Sequence, residues 1–393
     1  MKFVQFSDVH LDSTISGALN LPSQKRETLR RELRTAVRRA CDLASKHSAD
    51  LILIPGDLFD YESLDGETSS FLVQTFAEVK PIKIFIAPGN HDSLQPRNPY
   101  LDITGFGWPE NVHIFTSQEF QTVYLSEIGC SVTGIAHAHR GITDRLSVLA
   151  ERMNVSERAD ISILLLHGSR DGYRPSDKEN VLPFSDDELL ALGFTYAALG
   201  HYHSFGQITD ASGRIRAAYS GCIQGRALDE IGEKYVLLGC IDSDGKVELE
   251  RFEVAERRVL AVEVSVTDAT DNEAIFERIR SAIGSISARP QDIVHVSLTG
   301  VLSNSVALDT SRLESIEDCF HVTVSSSGVE PDYNLEELAR ESAASPIKSA
   351  FVRRMLELSD QAASPEEKRI ARDAIYYGLQ ALEGRKLEPR NAD

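Results

Sequence analysis

The sequence predicts an α/β fold with a partly parallel sheet, and two patterns lead to this prediction. Over the first 90 residues, short apolar runs typical of buried strands alternate with segments of helical periodicity. In addition, polar motifs follow several of these runs directly, which is where parallel sheets place functional residues. The length of 393 residues favours two or three domains.

The elements of this fold follow in order from the N-terminus. Residues 2–7 alternate between apolar and polar and predict a strand, and residues 26–46 carry apolar side chains at helical spacing. Residues 51–55 and 82–87 predict buried strands on either side of a helix at 70–79. Further strands are predicted at 112–115, 123–125, 130–136, 161–166, 196–199, 216–220 and 235–242. Turn sequences at 210–213 and 242–245 predict antiparallel hairpins among the later strands.

The pattern of predicted strands and helices changes beyond about residue 250. Strands are predicted at 260–266, 293–298 and 321–325, with helices at 272–283 and 312–318, which together indicate a small α+β domain. Two helices follow, from 345 and from 364, the second with Ser364 as N-cap and Pro365 at its first position. We therefore predict three parts, comprising residues 1–250, 251–335 and 336–393.

The composition restricts the classes of function. The net charge of −19 argues against holding nucleic acid by bulk electrostatics, because such binding needs basic side chains that neutralise phosphates. The five cysteines form no CxxC pair, which fits free thiols in a reducing compartment. The first ten residues do not resemble a signal peptide, and no apolar run is long enough to span a bilayer. We expect a cytoplasmic protein that is not inserted in a membrane.

One segment is strongly basic although the chain as a whole has a net negative charge. Residues 25–39 contain seven basic side chains and only two acidic ones. A charge run of this kind is often the solvated face of a helix. A contact to the DNA backbone or a dimer surface would explain it equally well, and the sequence leaves these alternatives open.

Five short motifs follow predicted strands and offer ligands for metal ions. They provide oxygen and nitrogen atoms but no thiolate, which favours Mn²⁺, Fe²⁺ or Zn²⁺. The motifs are Asp8-Val9-His10, Gly56-Asp57-Leu58-Phe59-Asp60, Gly89-Asn90-His91-Asp92, His167-Gly168 and Gly200-His201-Tyr202-His203.

The spacing within these motifs has a physical interpretation. Residues i and i+2 of an extended segment point the same way, so Asp8 and His10 can face one metal, as can His201 and His203. The glycines at 56, 89 and 200 allow sharp turns at strand ends. Seven candidate ligands are too many for one ion but suit two, which can clamp the oxygens of a phosphoester.

The ordered set DxH, GDxxD, GNHD, H and GHxH resembles the calcineurin-like metallophosphoesterase superfamily over residues 1–245. The resemblance implies a layered α/β/β/α sandwich with two metal sites that share Asp57. It places Asp8, His10 and His203 with Asp57 in the first site, and Asn90, His167 and His201 with Asp57 in the second. It also implies that His91 protonates the leaving oxygen and that Asp60 orients His91.

Other stretches narrow the resemblance. The protein phosphatases of the superfamily continue GDxxD into DRG, whereas this chain has GDLFDYES. The chain resembles the SbcD-like DNA-repair exonucleases, and their YhaO-type branch in particular. The segments that carry this resemblance are HLDSTISG, LLHGSRDG and LPFSDDELLALGFTYAALGHYH. This branch implies a DNA substrate, two ions for which Mn²⁺ is expected first, and a homodimer. It also implies that 251–335 form a capping domain and that the C-terminal helices dock on an SMC-like coiled-coil ATPase.

Two alternatives to a DNA nuclease remain. A phosphoesterase for small molecules, such as a nucleotidase or a cyclic-nucleotide phosphodiesterase, would use the same metals but would not need residues 250–393. A mainly structural subunit of an ATPase complex would not need the intact ligand set. His137 and His139 form one more HxH, which we expect to be structural because the ligand set is complete without them.

Overall fold

The computed structural model describes residues 1–13, 15, 19–94, 99–100, 107–138, 141–153, 159–173, 179–303, 306–340 and 346–384. The chain divides into two compact units, Met1–Val259 and Leu260–Asp393. The finer division into three parts stays a prediction. In the described ranges, no helix combines the length and the apolar character needed to cross a bilayer.

Two six-stranded sheets form the centre of the first unit. In the first sheet, four neighbouring strands are parallel and two more extend it in antiparallel fashion. Its spatial order is β12 (Val247–Glu253), β11 (Tyr235–Ile241), β1 (Lys2–Gln5), β2 (Leu51–Ile54), β3 (Lys83–Ile86) and β4 (Val112–Ile114).

The second sheet has a parallel centre with an antiparallel strand at each edge. Its spatial order is β5 (Gln121–Leu125), β6 (Cys130–Gly134), β7 (Ile161–His167), β8 (Tyr196–Gly200), β10 (Ile215–Tyr219) and β9 (Gly206–Thr209).

Helices cover the outer faces of both sheets. Because side chains alternate across a strand, neighbouring residues serve different layers: Phe3 packs between the sheets, whereas Val4 packs under the helices. α1 (Ser23–Lys46) and α2 (Gly66–Glu78) lie on the first sheet, and α3 (Leu146–Ala150) and α4 (Asp186–Ala191) lie on the second. The predicted α/β/β/α sandwich is confirmed.

Most predicted strands of this unit are confirmed to within about two residues, and both turn sequences do connect antiparallel strands. The Asp210 carboxylate accepts hydrogen bonds from the backbone N–H groups of Ser212 and Arg214, which fixes the first turn. Sequence patterns missed β9 and β12. The residues of β12 are mostly charged and exposed, so its apolar signal is weak.

The second unit contains a three-stranded sheet of β13 (Val259–Ser265), β14 (Ile293–Leu302) and β15 (His321–Pro331). α5 (Asn272–Ser285) and the short α6 (Thr310–Leu313) pack into the apolar core of this sheet. The helix predicted at 312–318 corresponds to α6, which begins two residues earlier and is shorter than predicted. α7 (Leu335–Arg340), α8 (Pro346–Asp360) and α9 (Pro365–Leu382) follow. α9 begins as predicted, since the Ser364 side chain accepts a hydrogen bond from the Glu367 N–H.

Candidate metal centre

The five motifs meet at one end of the two sheets. β1, β2 and β3 run parallel in the first sheet, and β7 and β8 run parallel in the second. The residues that follow their carboxyl ends therefore face each other across the sandwich. All seven predicted ligands, together with His91 and Asp60, lie within this one cluster, which we call the metal centre.

The first half of the metal centre contains Asp8, His10 and His203, whose ligand atoms lie within 4.8 Å of one another. The Nε2 atoms of the two imidazoles are 3.3 Å apart. The Nδ1 of His10 lies 2.6 Å from Asp60, and the Nδ1 of His203 lies 2.5 Å from Glu230. Because a carboxylate accepts the hydrogen bond, each Nδ1 carries a hydrogen, and the Nε2 atoms of both rings face the same gap. This donor set fits a cation.

The second half contains His167, Asn90 and Asp57. The Nδ1 of His167 donates to the carbonyl oxygen of Pro55 at 3.0 Å, so its Nε2 faces Asn90 Oδ1 at 2.9 Å and Asp57 Oδ2 at 3.3 Å. Three potential acceptors thus converge. Burial lowers the pKa of His167, but the Asp57 carboxylate outweighs burial and raises that pKa to about 9. The cluster therefore favours a positive charge at this point, which a divalent ion would supply.

Asp57 connects the two halves. Its Oδ2 lies 3.7 Å from the Nε2 of His10 and 3.3 Å from the Nε2 of His167. One carboxylate thus faces both groups of nitrogen ligands, which is the position that a bridging ligand needs. The assignment of each residue as a ligand stays a prediction.

His201 does not follow the spacing argument. Its φ of 111° is far from an extended strand, so it does not point the same way as His203. Its ring lies 5.2 Å from that of His167, its backbone N–H donates to Asp8, and its Nε2 lies 2.9 Å from the carbonyl oxygen of Glu179. The extended backbone that the spacing argument assumed is absent at His201, and the resemblance places the two histidines in different sites.

His91 and Asp60 come together as predicted. Their closest atoms, Nδ1 and Oδ1, are 3.2 Å apart, and the His91 side chain is 48% exposed at the rim of the metal centre. The same Asp60 oxygen also contacts His10, a second role that the sequence did not indicate. Burial raises the pKa of Asp60, but its hydrogen bonds to both histidines outweigh burial and hold the pKa well below the usual range. Asp60 is therefore ionised and can orient two imidazoles.

Asp92 supports the site without facing the metal centre. This fully buried carboxylate accepts hydrogen bonds from the backbone N–H groups of Asp57, Leu58 and Gly89 and from the Tyr100 hydroxyl. It therefore ties the loop after β2 to the loop after β3. Its position at the end of the GNHD motif was the only signal in the sequence, and no role was predicted for it.

His137 forms hydrogen bonds through both ring nitrogens. It is buried, with Nε2 2.7 Å from the carbonyl oxygen of His167 and Nδ1 accepting from the N–H of Ile142. Among the described residues it belongs to none of the groups that could hold a metal ion. His139 lies outside the described residues.

The glycines of the motifs serve two different purposes. Gly56 has a left-handed φ of 90°, which supports the expected sharp turn. Gly89 and Gly200 are needed for close approach instead. A Cβ on Gly89 would lie 2.3 Å from Asp57 Oδ1, and one on Gly200 would lie 1.9 Å from the carbonyl oxygen of Pro55. The ends of β2 and β8 can meet only because position 200 has no side chain.

We expect Gly200→Ala to destabilise the protein by about 3 kcal/mol and to weaken divalent metal binding, because backbone must move apart at the metal centre. Urea denaturation and metal titration would measure the two effects. Gly206→Ala is the matched control, since a Cβ there meets nothing within 4 Å. Equal stability of the two variants would contradict the close-packing explanation.

The comparisons with known proteins agree with this geometry. The family model described as calcineurin-like phosphoesterase matches residues 1–205. The chain is 30% identical over 292 residues to the uncharacterized metallophosphoesterase YhaO of Bacillus subtilis, covering 73% of this chain and 68% of that protein.

Two further relatives are more distant. The DNA double-strand break repair protein Mre11 of Methanopyrus kandleri is 22% identical over 340 residues, with 81% of this chain and 72% of that protein covered. A subunit of the nuclease SbcCD of Staphylococcus epidermidis is 25% identical over 257 residues, with 59% and 64% covered. The family match spans more than half of the chain and contains all nine residues of the metal centre. The chain belongs to the calcineurin-like phosphoesterase family, whose members bind divalent metal ions.

Proposed function

We propose that this chain is a two-metal phosphodiesterase that acts on DNA. The observation that supports it most is the position of Asp57, whose Oδ2 faces the nitrogen ligands of both halves of the metal centre. The names of two relatives, a DNA double-strand break repair protein and a component of a nuclease, favour DNA over a small substrate. Residues 260–393, which add a second unit, favour the same choice.

Each residue then has a role. Asp8, His10 and His203 would hold one ion with Asp57, and Asn90, His167 and His201 would hold the other with Asp57, with Mn²⁺ expected before Fe²⁺ or Zn²⁺. When bound, two ions supply Lewis-acid stabilisation of the charge on the phosphodiester oxygens. His91 protonates the leaving sugar oxygen. Asp60 accepts from the Nδ1 of His91, which leaves Nε2 to donate this proton.

The basic segment of α1 supports a role in holding DNA. Arg34 and Arg39 are already engaged, with Asp12 at 2.6 Å and Glu256 at 2.8 Å. Arg26 and Arg30, one helical turn apart, line a cavity of about 220 Å³ with Ile15, Ser23 and Glu27. Within the described ranges, neither arginine has an ion-pair partner. These two side chains are the candidates for contacts with DNA phosphates.

We expect the double variant Arg26→Gln/Arg30→Gln to bind DNA less tightly and with a weaker salt dependence. If both arginines neutralise phosphates, the slope of log Kobs against log salt falls in magnitude by about 1.8. Fluorescence anisotropy at several salt concentrations would measure the slope. Arg369→Gln/Arg372→Gln on α9 changes the total charge equally and is the control. If the α1 variant and the control gave the same slope, the two arginines of α1 would not contact DNA and would only face solvent.

The function itself is tested by nucleotide release from linear duplex DNA in the presence of Mn²⁺, beside hydrolysis of cyclic nucleotides under the same conditions. Release from DNA that requires the metal supports the proposal. Rapid turnover of cyclic nucleotides with no attack on DNA would instead identify a phosphoesterase for small molecules. Binding of DNA without any hydrolysis would point to a structural subunit.

We also propose that the protein forms a homodimer and that 251–335 act as a capping domain. The C-terminal helices would dock on an SMC-like coiled-coil ATPase. Two large apolar side chains on those helices, Ile347 and Ile370, are 71% and 57% exposed, which supports a docking role. Copurification with such an ATPase that is lost on truncation before Ser345 would support docking, and light scattering would give the oligomeric state.

A further inference from the structure

The loop after β10 holds one predicted metal ligand, His203, at both its backbone and its ring. The Cys222 N–H and the Lys234 ammonium both donate to the His203 carbonyl oxygen, each at 3.2 Å. The ring Nδ1 lies 2.5 Å from Glu230 Oε1. A segment of 13 residues, 222–234, thus contacts both the backbone and the ring of a single histidine.

Glu230 is itself held firmly. Its side chain is 3% exposed and accepts hydrogen bonds from the backbone N–H and the guanidinium group of Arg226. Arg226 is anchored in turn by a 2.7 Å hydrogen bond to the hydroxyl of Ser13. A buried carboxylate that is already paired with an arginine therefore points at the imidazole.

This contact determines which nitrogen of His203 can bind a metal. A carboxylate paired with an arginine accepts the hydrogen bond, so Nδ1 carries a hydrogen and Nε2 is the nitrogen left to bind a metal. That Nε2 lies 3.3 Å from His10 Nε2 and 3.9 Å from Asp8 Oδ1. A carboxylate behind a ligating imidazole also raises its basicity and fixes the orientation of its ring.

We propose that Glu230 is a positioning residue for the metal centre, which fixes His203 in the Nδ1–H tautomer and strengthens its hold on one divalent ion. It acts through the imidazole and does not touch the substrate. The inference rests on the proposed metal centre. Asp60 stands behind His10 in the same way but also contacts His91, so its loss would affect metal binding and proton donation together. Glu230 contacts His203 alone among the predicted site residues, and its effect is confined to metal binding.

The main experiment is Mn²⁺ titration of the full-length Glu230→Gln variant by calorimetry. We expect the affinity for one of the two ions to fall roughly 10- to 100-fold and the other to stay unchanged. At saturating Mn²⁺, kcat should stay close to that of the wild type. Glu188→Gln is the matched control, because Glu188 also accepts from an arginine and from a backbone N–H, but at the start of α4.

A purely structural role for Glu230 would give a different result. Stability of the metal-free protein in urea would fall, while both Mn²⁺ affinities stayed at their wild-type values, and this result would overturn the inference. The tautomer offers a second readout that needs no variant. Long-range ¹H–¹⁵N spectra of the metal-free wild type should show a hydrogen on Nδ1 of His203, and a neutral ring protonated at Nε2 alone would also overturn it. A wild type that binds no divalent ion would instead remove the proposed function.

Discussion

Asp57→Asn is expected to abolish metal-dependent phosphodiester hydrolysis. The substitution removes the charge of the one carboxylate that faces both His10 and His167, so at least one ion should be lost. A loss of about 4 kcal/mol of transition-state stabilisation corresponds to a fall of about 10³-fold in kcat/KM. Metal content by mass spectrometry and nucleotide release from linear DNA would measure the two effects.

Asp210→Asn is the matched control for this variant. Asp210 is also a carboxylate that accepts backbone hydrogen bonds, but it lies in the turn between β9 and β10. It should retain both ions and full activity. If the Asp57 variant did the same, the shared-ligand assignment would have to be abandoned.

His91→Ala should also give a large loss of activity, and the size of this loss should depend on the leaving group. A general acid contributes about 10²- to 10⁴-fold, and we expect kcat on DNA to fall by that much because a sugar alkoxide is a poor leaving group. On bis(p-nitrophenyl) phosphate the loss should be small, since p-nitrophenolate leaves without a proton. Parallel kcat measurements on the two substrates would test this.

The metal content of the His91 variant should match that of the wild type, because its ring lies at the exposed rim. His113→Ala, at a histidine of β4, should change neither kcat nor metal content. Equal losses on both substrates would show that His91 does not act as the acid. Loss of an ion would show that it is a ligand instead.

The sequence predicted most of the fold because apolar runs and turn residues act locally. The strands β1, β2, β3, β7 and β8 each end where a polar motif begins, so the residues that meet at the metal centre could be identified. β12 was missed because its exposed, charged residues give only a weak apolar signal, although the turn sequence at 242–245 predicted the hairpin that pairs it with β11.

Three features of the candidate site could not be predicted from local patterns. Glu230 lies 27 residues beyond His203, and its contact depends on how the loop after β10 packs. The direction of His201 depends on a φ of 111°, which alternation along a strand does not anticipate. Asp60 was predicted as the partner of His91, but its contact with His10 requires the loops after β1 and β2 to be adjacent.

The metal centre takes its residues from the ends of two separate sheets, with Asp8, Asp57 and Asn90 following strands of the first and His167 and His203 belonging to the second. Ions held there would act as a cross-link that exists only in the folded chain. A ligand present at 100 times its dissociation constant stabilises the folded state by about 2.7 kcal/mol. The supply of divalent metal in a cell would then set the lifetime of this protein as well as its rate of catalysis.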